Sequence, residues 1–94
     1  MDYALIARKN KGEINMANID LAQMGTGQSG TVVAVQGGRG MTAKLEALGI
    51  RPGVVITKVS GQIMRGPVII RVGNTQVAIG FGMARRIIVV VETS

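Results

Sequence analysis

Val68-Ile69-Ile70-Arg71-Val72-Gly73-Asn74-Thr75-Gln76-Val77-Ala78-Ile79 is the stretch on which the fold of this chain turns. Two runs rich in β-branched residues flank Gly73-Asn74, and a two-residue connection of that kind closes a tight hairpin. In that register Val72 faces Thr75, Ile70 faces Val77 and Val68 faces Ile79. The strongly apolar partners then share one face. Arg71 opposite Gln76 and Ile69 opposite Ala78 occupy the other. The pattern predicts two antiparallel strands with one buried side.

Upstream lies Leu45-Glu46-Ala47-Leu48-Gly49-Ile50-Arg51-Pro52-Gly53. Met41, Leu45 and Leu48 recur at i, i+4 and i+7, which predicts a helix over 41–48 with these three on one face. Gly49 stands where a left-handed C-cap residue is needed, and glycine adopts that conformation at least cost. Ile50 then folds back onto Leu45. Pro52 cannot continue a helix.

The remaining apolar runs read as strands. Thr31–Val35 is β-branched apart from Ala34, and Val54–Val59 shows mixed periodicity. Ile87–Val91 is a continuous β-branched run, suited to a strand buried on both faces or closing a barrel. Phe81–Arg86 is a short connection with room for one helical turn. Ile19, Leu21 and Met24 are spaced to dock one short turn on a core, and Met24 and Met41 read as core fillers. About five short strands, with one short helix between the first and second, must curl and close to protect their edges. The expected fold is therefore mainly β: a small SH3-like barrel over 19–94, preceded by a partly ordered extension over 1–18. An edge left open could pair two copies, so a homo-oligomer is compatible with the pattern.

Composition narrows the function. The 94 residues contain no cysteine and no histidine, and Tyr3 and Phe81 are the only aromatics. Without cysteine there is no disulfide framework or thiolate metal site, which fits a reducing cytoplasm. Without histidine the commonest general base and transition-metal ligand is missing. The carboxylates Asp2, Glu13, Asp20, Glu46 and Glu92 stand in no catalytic spacing, so the chain is not expected to be an enzyme. No metal-ligand motif is visible, and no cofactor is evident. Two aromatics cannot line a proline-rich peptide groove or a base-stacking platform. No apolar run reaches the ~20 residues that cross a membrane.

The net charge is +6, with scattered basic residues. Nucleic acid is an unlikely partner on that pattern, though backbone binding by a basic barrel stays open as an alternative. Gln36-Gly37-Gly38-Arg39-Gly40 follows a strand and opens a helix, but it lacks the glycine order and the Lys-Ser/Thr ending of a phosphate loop. Arg39 makes this loop a contact for an acidic partner. Met64, beside Arg65, suits an adaptable protein contact or a lid over the barrel end.

Four segments, taken in order, resemble the FeoA-like family, ferrous iron transport protein A. Leu21–Gly38 (LAQMGTGQSGTVVAVQGG) is similar to its opening turn and first strand. Leu45–Gly53 (LEALGIRPG) is similar to its most diagnostic stretch, Gly66–Gly80 (GPVIIRVGNTQVAIG) to its central hairpin, and Ala84–Glu92 (ARRIIVVVE) to its closing strand. The resemblance implies an SH3-like barrel and a cytoplasmic accessory role in ferrous iron uptake. It implies the cytoplasmic part of a GTPase-linked iron permease as partner, with no insertion of this chain into the membrane. On that view Arg39, Lys44, Arg51, Met64 and Arg65 form the contact surface. Leu45, Gly49, Ile50, Pro52, Gly53, Gly73 and Asn74 are structural. Ferrous iron or another transition metal enters by the resemblance alone, which keeps a stand-alone metal-binding regulator as a second alternative.

Overall fold

The computed structural model describes residues 15–60 and 66–93. Six strands form one antiparallel sheet: β1 (Met16–Asp20), β2 (Ser29–Val35), β3 (Val55–Ser60), β4 (Val68–Val72), β5 (Thr75–Ile79) and β6 (Ile87–Glu92). Their order in the sheet is β1-β6-β2-β3-β4-β5. The β4–β5 hairpin has the register its sequence predicts, from Val72 opposite Thr75 to Val68 opposite Ile79. Gly73 takes a positive φ of 61° in the turn. Val68, Ile70 and Ile79 are fully buried, whereas Arg71 and Gln76 are exposed.

The buried residues of β2 through β6 join a single cluster. Val32, Ile56, Val68, Ile70, Ile79, Ile87, Val89 and Val91 all belong to it, so the sheet curls around its own inner face. That is how a sheet with few flanking helices shields its apolar side. The result is a small SH3-like barrel. It has six strands rather than about five, because Met16–Asp20 adds an edge strand to β6, with Ile19 opposite Val89. Ala17 and Ile19 alternate with exposed Met16 and Asn18, a signal too short to separate from the charged residues before it. The helix consequently lies between the second and third strands. β6 is flanked by β1 and β2, yet only Ile87, Val89 and Val91 are buried; Ile88 and Val90 face outward and are half-buried.

α1 spans Arg39–Ala47 and starts two residues earlier than its apolar spacing indicates. Its end is a Schellman motif. The Ile50 amide donates to the Leu45 carbonyl at 2.9 Å, and the Gly49 amide donates to Glu46 at 2.9 Å. Gly49 has φ +86°, and Leu45 and Ile50 are both fully buried. Leu48, expected on the buried face, is instead 41% exposed. It is the C-cap residue, and the reversal of the chain at Gly49 delivers Ile50 to the core in its place. Pro52 and Gly53 (φ +97°) then form a turn closed by the Val54 amide on the Arg51 carbonyl at 3.2 Å, which leads into β3. A 3-10 turn at Leu21–Gln23 buries Leu21 and is started by Asp20 in a capping box with Gln23. A single-turn helix, α2, occupies Phe81–Ala84 and buries Ala84.

A glycine-floored groove and a basic notch as candidate functional sites

The outer face of the sheet carries a groove of about 420 Å³ across β1, β6, β2 and β3. Its floor is Gly30. A Cβ there would lie 2.8 Å from Val91 Cγ1 and 3.0 Å from the Val90 carbonyl, so only glycine lets β2 pass this close to β6. Met16 and Val55 stand on the two banks, 53% and 58% exposed, with Thr31 and Val90 between them. Register explains the grouping. Thr31 pairs with both Val90 and Val55, while Met16 pairs with Glu92 at the rim. Ser29, in the lining, shares a 2.7 Å hydroxyl hydrogen bond with Thr57 across β2 and β3. The groove offers an apolar strip with a polar rim, which suits contact with another protein surface.

A second cavity, about 320 Å³, is polar and lies beside α2. Arg85, Arg86, Asp20, Gln36 and Gly82 line it. The Gln36 amide donates to the Arg86 carbonyl at 2.7 Å, and the Arg86 amide donates to Met83 at 3.0 Å, so the wall is fixed by its backbone. The Arg85 guanidinium lies 5.9 Å from the centre of the Phe81 ring. Both arginines fall in a short connection with no motif, so the sequence alone does not mark them as a site. Two adjacent arginines before the closing strand were the available signal.

The residues singled out in the sequence scatter by comparison. Arg39 is the first residue of α1, Lys44 lies in its last turn, and Arg51 follows the Schellman turn; all three are exposed. Five positions apart on a helix, Arg39 and Lys44 point about 140° away from each other. Met64 and Arg65 lie outside the described residues. Leu45, Gly49, Ile50, Pro52 and Gly53 make the helix stop and turn already described, and Gly73-Asn74 makes the hairpin turn. Lys58, which the sequence marks only as a residue of the Val54–Val59 run, is the one buried charged side chain among the described residues, 5% exposed. No three His, Cys, Asp or Glu side chains among the described residues come together as a metal-binding group. No helix among the described residues is long and apolar enough to cross a membrane.

Comparison with known proteins agrees with this geometry. Among solved structures, the chain is similar to the iron uptake regulatory protein FeoA, with 38% identity over 78% of this chain and 95% of that one and a TM-score of 0.70. It is also similar to FeoA of Stenotrophomonas maltophilia, a prokaryotic SH3 domain protein whose structure was solved with zinc, at 25% identity over 76% and 88% of the two chains and a TM-score of 0.66. A manganese-dependent transcriptional repressor shares the fold at 19% identity, with a TM-score of 0.74 over 82% of this chain and 43% of the repressor. Among curated proteins, none matches. The model of the FeoA domain, a small accessory domain associated with ferrous iron transport, matches residues 19–91. With the family pattern running through the helix stop, the hairpin and the closing strand, this chain belongs to the FeoA domain family.

Proposed function

We propose that the chain is a cytoplasmic accessory protein of ferrous iron transport, not an enzyme, which regulates the GTPase-linked iron permease by docking on its cytoplasmic domain. The observation that carries this is the groove over Gly30, where Met16 and Val55 expose apolar side chains on a family scaffold associated with iron transport. Exposed large apolar side chains grouped in a concave surface mark contact sites on small domains. Arg39 adds to the argument. A cation in the first turn of a helix opposes the helix dipole, so its place there does not serve the stability of α1. Exposed Arg39, Lys44 and Arg51 spread positive charge around α1 and the turn after it, which speeds encounter with an acidic partner surface. Ferrous iron is the cargo of the transporter on this view, not a ligand of this chain.

Co-purification with the permease's cytoplasmic domain tests the proposal, with and without guanine nucleotide and ferrous iron. Retention of the domain by the wild-type chain, lost in Val55→Asp, is the expected result. Absence of retention under every condition would overturn it.

A further inference from the structure

We infer that the notch beside α2 is a carboxylate-binding site, in which Arg85 and Arg86 receive one aspartate or glutamate side chain of the protein partner. This rests on the proposal that the chain works by binding a protein. Two guanidinium groups and the Asp20 carboxylate line the cavity, leaving one net positive charge. A carboxylate neutralises that charge. A phosphate group, with about −1.5 to −2 charges at pH 7, would leave an excess beside Asp20.

Both arginines are exposed; contacts around the notch engage the Arg85 side chain and the Arg86 backbone. Phe81 lies under the Arg85 guanidinium at 5.9 Å, a stacking that orients the planar group and leaves its edge free to donate. Arg86 is tied through its backbone to Met83 and Gln36. Asp20 is engaged elsewhere, since its Oδ1 accepts the Gln23 amide at 3.1 Å in the capping box. Among the described residues neither arginine is in an ion pair with a carboxylate. Their charged donors are thus available for the short, paired hydrogen bonds that guanidinium makes with carboxylate. Gly82 also lines the notch, and a side chain added there would meet nothing within 4 Å.

Amide NMR titration of the full chain tests the site with three probes: a capped Gly-Glu-Gly tripeptide, its Gly-Gln-Gly counterpart, and inorganic phosphate. The glutamate peptide should shift the Gln36 and Gly82 amides saturably, and the glutamine peptide should not. Phosphate should bind more weakly than the glutamate peptide. The double variant Arg85→Gln/Arg86→Gln should lose affinity at least about tenfold, which corresponds to ~1.4 kcal/mol. Gly82→Glu, which adds a carboxylate at a residue lining the notch, should weaken peptide binding too while its spectrum stays folded. Equal shifts with both peptides, preference for phosphate, or undiminished binding by both variants would overturn the site. If the wild-type chain and the double variant retain the permease domain equally, the notch fails as a partner contact while the docking proposal stands. If the wild-type chain retains nothing, the docking proposal fails, and the tripeptide titration still decides the notch.

Discussion

The side-chain Nζ of Lys58 donates a 2.6 Å hydrogen bond to the carbonyl oxygen of Met24, 34 residues earlier in the chain. A longer bond of 3.5 Å reaches the Ala22 carbonyl. The backbone of Lys58 adds two more, donating to Gln28 at 2.9 Å and accepting from Gly27 at 2.7 Å. One residue of β3 thereby ties down the whole segment from the 3-10 turn to the start of β2. Its methylene stem fills core space while its ammonium satisfies carbonyls that the turn leaves without partners.

Lys58→Met keeps the stem and removes the donor, leaving the Met24 carbonyl buried without its hydrogen bond. A loss of ~1–3 kcal/mol is expected. For a domain of this size each 1 kcal/mol lowers the melting temperature by roughly 4–8 °C. Thermal unfolding followed by circular dichroism measures it. An unchanged midpoint would show that the bond to Met24 adds nothing to stability.

Gly30→Ala forces a Cβ against the stiff Val91 side chain and the Val90 carbonyl, neither of which can swing away. Overpacking of this kind costs about 1–3 kcal/mol. Urea unfolding should register it as a lower midpoint with an unaltered slope.

Gly49→Ala meets no clash, since its Cβ would sit 3.5 Å from Val72 Cγ1 in ordinary contact. The cost is conformational, about 1–2 kcal/mol for a side chain held at positive φ. Comparing the two alanine variants by calorimetry separates a steric penalty at Gly30 from a backbone penalty at Gly49. Full stability in Gly49→Ala would show that the Schellman turn is not needed to seat Ile50.

Val55→Asp alters a residue that is 58% exposed, so its stability should stay within ~0.5 kcal/mol of wild type. Its affinity for the permease domain should fall by about 2 kcal/mol or more if Val55 is central to the contact. Surface plasmon resonance at fixed salt reads that change. Equal affinity would move the contact away from the groove.

Arg39→Glu and Arg51→Glu should slow association with the permease domain, and the effect should shrink as salt is raised. Both residues are exposed, so the fold should be retained. Association rates that do not respond to either reversal would remove both arginines from the interface.

Where neighbouring residues settle the backbone, the sequence was enough. The Gly73-Asn74 turn has few backbone solutions, and alternation around it allows only one register that buries Val68, Ile70 and Ile79. The helix stop at Gly49 is equally local, because glycine, the apolar residue after it and Pro52 act within a few positions of one another. The spacing of Met41, Leu45 and Leu48 was a poorer guide, since Leu48 falls where the helix gives way to the turn. The β-branched run of β2 hid a bulge between Val32 and Ala34, after which Val35 packs against the core, and bulges depend on the partner strand.

The candidate sites were decided by tertiary structure alone. Met16, Val55 and Val90 come from three strands and meet only because β6 and β2 are neighbours in the sheet. Asp20, Gln36 and Arg86 are remote in the chain and share a notch only after the sheet curls. The sequence by itself determined the turns, the register of the hairpin and the helix stop, all governed by steric limits on adjacent residues. Only the tertiary structure decided which exposed side chains converge and that Lys58 lies buried, because convergence depends on strand order and curvature, which no local pattern encodes.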